Sequence, residues 1–113
     1  MVDPAYVPER GDVVWMTFDP TLGHEQAGRR PACVLSPGFY NRASPLILVC
    51  PVTSQVKGYP FEVDLPGGLA VTGAVLCDHV RSVDWRPREI ELMTTLPADV
   101  TAQILATVRR LLD

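Results

Sequence analysis

Leu46-Ile47-Leu48-Val49-Cys50-Pro51-Val52 is the most hydrophobic run in the chain, and it constrains the fold more than any other stretch. It reads as the central strand of a sheet. Pro51 brings no backbone donor to a ladder, so a sheet edge or a bulge is expected near the end of the run. Shorter runs of the same kind surround it. Val13-Val14-Trp15-Met16-Thr17-Phe18 is β-branched and aromatic and reads as a strand. Ala32-Cys33-Val34-Leu35 is short and continuously apolar, as a strand buried on both faces is. Phe61-Glu62-Val63-Asp64-Leu65 alternates apolar and polar, the pattern of a half-exposed strand. Ala70 to Leu76 and His79 to Trp85 read as further strands bent around Gly73 and Asp78, and Glu89 to Met93 as a last short one.

The connections are polar and rich in proline and glycine. Residues 1 to 10, with Pro4 and Pro8, read as an irregular arm, and Gly11-Asp12 as a turn. The stretch from Ser36 to Pro45 has room for one helical turn around Phe39-Tyr40-Asn41. Pro66-Gly67-Gly68 is a turn, and Arg86-Pro87-Arg88 breaks the sheet. From Pro97 to Leu112 the pattern becomes helical. Pro97 suits a first helical position and Asp99 the first turn, while Val100, Ile104, Val108 and Leu111 form one stripe and Arg109 and Arg110 complement the C-terminal end. The expected fold is mainly β with a terminal helix (α+β). It has five to seven short strands in a small, strongly bent antiparallel sheet close to a barrel, with the helix packed on it. Residues 1–113 form a single domain, without repeats or linkers.

Composition narrows the function classes. The apolar fraction, 47%, is that of a folded globular chain. No apolar run is long enough to span a bilayer, and the N-terminus lacks the basic and apolar regions of a signal peptide, so a cytoplasmic protein without a membrane partner is expected. Cys33, Cys50 and Cys77 lie far apart in apolar runs, with no Cys-x-x-Cys or Cys/His spacing for a metal. They read as small buried hydrophobes, and no metal or other cofactor is expected. The net charge of −3 gives no global attraction for nucleic acid. Of the ten basic residues, however, nine are arginine, with Lys57 the lone lysine. Arginine suits phosphate contacts and stacking on bases, so any nucleic acid must bind through a local groove.

The loop Gly23-His24-Glu25-Gln26-Ala27-Gly28-Arg29-Arg30-Pro31 lies between two of the strand-like runs, which can aim it. Glu25 can accept a proton, and Arg30 can hold a developing negative charge in a rigid fork of donors. A base and an anion clamp are what attack on a phosphodiester requires. The same pair also fits an ordinary solvated surface contact.

The order of motifs along the chain decides between these readings. Gly11-Asp12-Val13-Val14-Trp15, Phe18-Asp19-Pro20-Thr21, Glu25-Gln26-Ala27-Gly28, Arg30-Pro31-Ala32 and Val34-Leu35-Ser36-Pro37 come first. Thr53-Ser54-Gln55, Lys57-Gly58-Tyr59-Pro60-Phe61-Glu62-Val63, Asp78, Val80-Arg81-Ser82-Val83 and Trp85-Arg86 follow. In this order they resemble the MazF/PemK-type toxins of bacterial toxin–antitoxin modules, from about Tyr6 to the final helix. The resemblance implies an SH3-like barrel of the MazF/CcdB type, a homodimer and a metal-independent, sequence-specific endoribonuclease acting on single-stranded RNA, chiefly mRNA. It also implies a cognate MazE-type antitoxin whose tail occupies the RNA groove. In that reaction the RNA's own 2′-hydroxyl attacks, leaving a 2′,3′-cyclic phosphate and a 5′-hydroxyl. The nucleophile is tethered beside the phosphorus, so no metal is needed, and DNA is excluded as a substrate.

Three catalytic positions carry over from the resemblance. Glu25 takes the place of the general base, Arg30 that of the phosphate clamp and Thr53 that of a hydroxyl donor to a non-bridging oxygen. His24, Arg29, Ser54, Gln55, Lys57, Asp78 and His79 carry over as substrate contacts. His24 stands where serine is expected and His79 where glutamine is expected, so the recognised motif does not carry over from the resemblance. Trp15 and Phe18, within a strand, read as core, while Tyr59 is open between stacking on a base and a surface role. The competing function is a CcdB-like, non-enzymatic toxin that binds DNA gyrase. Convergence of Glu25, Arg30 and Thr53 would favour the ribonuclease.

Overall fold

The structure, a computed structural model, describes residues 5–18 and 28–113. In chain order the elements are β1 (Asp12–Phe18), β2 (Gly28–Val34), α1 (Gly38–Ala43), β3 (Leu46–Thr53), β4 (Glu62–Asp64), β5 (Ala74–Leu76), β6 (Arg81–Asp84), β7 (Glu91–Thr95) and α2 (Ala98–Arg109). Three-residue 3-10 turns at Cys77–His79 and Arg86–Arg88 flank β6. Every strand pairing is antiparallel, in the order β4-β5-β3-β2-β1-β7, with β6 also on β3. This is the expected mainly β sheet with a terminal helix.

The apolar run becomes β3, which pairs with three strands. One edge meets β2, with Val49 to Pro51 opposite Val34 to Ala32. The other edge is divided: Leu46 to Val49 take β6, while Val52 and Thr53 take β5. Pro51 falls in the gap between these two partners, so the ladder on that edge does not need the donor it lacks.

Alternate residues of the central strands enter two different cores. Val13, Cys33, Cys50, Val52, Val63 and Val75 pack on one face beneath Leu96 and Ile104, the buried residue of α2. Val14, Met16, Phe18, Ala32, Val34, Ile47, Val49 and Val83 pack on the other. Both faces are therefore buried, which accounts for unbroken apolar runs in an antiparallel sheet. Cys33, Cys50 and Cys77 are free and buried, as read. Burial, the largest cause, pushes the Cys33 and Cys77 thiols up to about 12, with the Cys77 and Asp78 charges adding respectively, and raises Cys50 as well. At neutral pH they are inert hydrophobes rather than nucleophiles.

The structure moves several boundaries. β2 begins at Gly28 rather than Ala32, because β1 pairs with it from Val13 out to Phe18, opposite Gly28. Pro31 is tolerated inside β2, since pairing with β3 begins only at Ala32. Arg29 and Arg30 thus stand on a strand, not on a loop. The strand expected from Ala70 shrinks to Ala74–Leu76, and the one expected from His79 begins at Arg81, after the 3-10 turn. The last strand is Glu91–Thr95 rather than 89–93, because Glu89 turns into the left-handed region at φ 50°. Pro97 sits just outside α2, with ψ 148°, and the helix closes at Arg109. Leu111 therefore lies beyond the stripe, exposed.

Asp12, expected in a turn, is a buried junction. Its carboxylate accepts from the Tyr6 hydroxyl, the Glu9 amide at 3.0 Å and the Thr95 hydroxyl at 3.0 Å, joining the N-terminal arm, β1 and β7. Burial and then the Asp12 hydrogen bond raise the Tyr6 hydroxyl far above its ordinary value. Replacing Asp12 with alanine strands these donors. Asp12→Ala is expected to lower the unfolding free energy by about 2–4 kcal/mol and Tm by about 10 °C or more. A thermal melt checks this, and an unchanged Tm would show that the carboxylate does not hold the arm.

Candidate active site

Arg30 and Thr53 share one side of the sheet. Arg30 pairs with Met16 and stands two residues before Ala32, both of which belong to the second core. Thr53 follows Ile47 and Val49 of that core at even spacing. Both residues lie two positions beyond the last paired β2–β3 step, Ala32 with Pro51, so the two strands present them at matching depth. Glu25 and His24 lie outside the described residues. The segment 19–27 that carries them leaves β1 after Phe18 and enters β2 at Gly28, at the same end of the sheet as Arg30.

Thr53 is buried, and its position is fixed from behind. Gly73, at φ 114°, brings its α-carbon so close that an added Cβ would lie 1.9 Å from the Thr53 carbonyl oxygen. Only glycine fits there. The Thr53 Oγ1 accepts the Gln55 amide at 3.1 Å, which leaves its own O–H available as a donor.

Thr53 lines a cavity of about 430 Å³ together with Gln55, Lys57, Tyr59, Asp78 and His79. Four of the residues assigned to substrate from the sequence, Gln55, Lys57, Asp78 and His79, are thus brought together beside a catalytic candidate. His79 Nε2 lies 4.0 Å from Asp78 Oδ1, and the Lys57 ammonium lies 6.0 Å from the Tyr59 ring centroid. Glu62 also lines this cavity; the sequence placed it in a strand and in a family motif but assigned it no contact with substrate. Its Oε1 accepts the Lys57 and Gly58 amides at 3.0 and 2.9 Å, pinning the loop that carries Lys57 and Tyr59. A polar position on an alternating strand beside a glycine loop is the only trace of this in the sequence.

Arg30 does not line that cavity; with Ser54, Arg29, Trp15 and Met93 it borders a separate hollow of about 510 Å³. Thr53 and Ser54, adjacent at the end of β3, open into different hollows. Arg29 stands on the opposite side of β2 from Arg30. Its guanidinium lies 5.9 Å from the Trp15 centroid and donates to Thr17 Oγ1 at 3.1 Å and to the carbonyls of Arg88 and Glu89 at 3.3 and 2.7 Å. Among the described residues no cluster of histidine, cysteine and carboxylate side chains could hold a metal ion.

The model of a family described as "PemK-like, MazF-like toxin of type II toxin-antitoxin system" matches residues 9–112. The chain belongs to this PemK/MazF toxin family. It is 54% identical over 83 residues to the endoribonuclease toxin MazF of Escherichia coli K12, covering 74% of each chain. It is 35% identical over 108 residues to the endoribonuclease PemK of Escherichia coli, covering 92% of this chain and 81% of PemK. Among solved structures, MazF of Deinococcus radiodurans superposes with a TM-score of 0.90 at 55% identity, over 95% of this chain and 97% of that one. A MazE–MazF structure from the same organism superposes with a TM-score of 0.84 at 50% identity, over 95% and 96%. The bent sheet with its terminal helix is therefore the MazF fold.

The contact between Gly73 and Thr53 gives the candidate site a rigid wall. Gly73→Ala is expected to push Thr53 outward, lowering stability by about 2 kcal/mol or more and weakening any activity that uses the Thr53 hydroxyl. Thermal melts and an activity assay on the same sample check both effects. A variant identical to the parent in both would show that the close approach is not required.

Proposed function

We propose that the chain is a metal-independent, sequence-specific endoribonuclease toxin that cleaves single-stranded RNA, chiefly mRNA, in the cytoplasm. The observation that carries the reading is the placement of Arg30 and Thr53 at matching depth on one side of the sheet, with Thr53 lining a cavity that also holds Gln55, Lys57, Asp78 and His79, in a chain of the PemK/MazF family. The 2′-hydroxyl next to the scissile bond attacks phosphorus and displaces the 5′-oxygen, leaving a 2′,3′-cyclic phosphate and a 5′-hydroxyl. Glu25 takes the 2′-proton, and water supplies the proton that the departing 5′-oxygen needs. Arg30 holds the negative charge on the phosphate oxygens in its rigid fork of donors, and the Thr53 hydroxyl donates to one of them.

Gln55, Asp78 and His79 read base edges in the 430 Å³ cavity, and Lys57 meets a backbone phosphate. Ser54 and His24 border the substrate from the neighbouring hollow and from the 19–27 segment. Arg29, with three hydrogen bonds already made, acts through the position of the end of β1.

A MazE-type antitoxin neutralises the toxin by covering the same groove. MazE–MazF complexes of a relative 50% identical support such a partner. A homodimer is supported by an apolar hollow of about 460 Å³ between α1 and α2, where Phe39, Tyr40, Leu48 and Leu112 are exposed.

Incubating the purified protein with long single-stranded RNA in EDTA, then mapping ends by primer extension, tests the reading. Discrete cuts at one short motif with 5′-hydroxyl ends are expected. Glu25→Ala and Arg30→Ala are each expected to reduce cleavage at least about a thousandfold while the melting curve stays that of a folded protein. Intact RNA with a folded wild type would overturn the function, and retained cleavage in either variant would overturn that residue's role.

A further inference from the structure

One arginine on the active side of the sheet has no assigned work. Arg81 pairs with Val49 in the β3–β6 ladder and precedes Val83 by two residues, both of which belong to the second core, so it stands on the side that Arg30 and Thr53 share. It is half-buried. Its guanidinium carbon lies 5.6 Å from the centroid of Phe18, the buried last described residue before the segment that carries Glu25. Among the described residues this stacking is its only recorded partner, with no hydrogen bond or ion pair.

The difference from Arg29 is chemical. Stacking uses the face of a guanidinium and leaves the N–H groups around its edge free. Arg29 also stacks, on Trp15, but its edge already donates to Thr17, Arg88 and Glu89. The Arg81 edge is unspent and held at a fixed height by a buried ring. A pre-positioned planar fork of donors matches the paired oxygens of a phosphodiester. In a chain of net charge −3, a polyanion needs such local cations to be held at all.

We infer that Arg81 is a substrate-binding residue whose guanidinium edge takes a backbone phosphate of the RNA next to the cleaved position. This rests on the ribonuclease reading above. Arg81 anchors the strand as it passes Phe18, while Arg30 and Thr53 act on the scissile phosphate itself.

The test uses the full-length protein and a short RNA that spans the mapped cleavage motif, with a 2′-O-methyl group at the cleaved position so that it binds without reacting. Affinity is measured over a series of salt concentrations for the wild type, Arg81→Met and Arg81→Lys. Methionine keeps an apolar stem over Phe18 and removes the charge. Arg81→Met is expected to weaken binding about tenfold at low salt and to flatten the slope of log affinity against log salt by about 0.7, the value of one lost phosphate contact on a single strand. With unmodified RNA it is expected to raise KM and leave kcat within about threefold. Arg81→Lys is expected to keep the slope but bind several-fold more weakly, because an ammonium lacks the fork. A role confined to packing on Phe18 would change Tm and leave the slope alone.

Wild-type slope and KM in a folded Arg81→Met would overturn the inference and leave the ribonuclease reading intact. If Arg81→Met does not fold, wild-type affinity in Arg81→Lys would overturn it. A wild type that neither binds nor cuts RNA would overturn both.

Discussion

The divided edge of β3 is the constraint on which the rest of the molecule depends. A single strand of eight residues pairs with β2 on one side and with β6 and then β5 on the other. A sheet that changes partner in mid-strand cannot stay flat. Its alternate residues point to opposite faces, and each face carries its own core. Pro51 sits at the changeover, where neither β5 nor β6 takes an amide from β3. The same geometry brings the end of β3, and with it Thr53, to the rim of the sheet rather than its middle.

The chemistry then follows from what each strand end presents. β2 delivers Arg30, and β3 delivers Thr53 on the same side of the sheet. Gly73 holds Thr53 from behind by a contact too close for any side chain. The contrast between Arg29 and Arg81 is one of remaining capacity. Arg29 has used its edge to fasten the end of β1, whereas Arg81 uses only its face. Position, rather than residue type, separates the structural cation from those that can meet an anion.

Much of this was legible in the sequence, and the misreadings have physical causes. The strand at 13–18, the central run, the helical turn at 39–41 and the terminal helix were visible because their patterns are local. The family motifs, read in order, gave the family and the fold. The start of β2 was hidden because Pro31 carries the signal of a break, and only the pairing of Trp15 with Pro31 overrides it. The work of Asp12, Glu62 and Arg81 was hidden for one reason. Each acts through partners that come close only on folding: Thr95 for Asp12, the Lys57 and Gly58 amides for Glu62, and the Phe18 ring for Arg81. A carboxylate on a strand looks the same in sequence whether it faces water or a pair of amides.

The attachment of the 54–60 loop has a consequence for how such a protein changes over time. The loop is fastened to the sheet through the Glu62 carboxylate, while Thr53 is held independently by Gly73. Side chains that face the cavity can therefore be exchanged without disturbing the wall behind Thr53. On the ribonuclease reading proposed above, target choice and cutting power can drift separately. A lineage that duplicates this gene can diversify the sites it attacks, and an engineer can randomise positions 55, 57 and 59 while keeping Glu62 fixed.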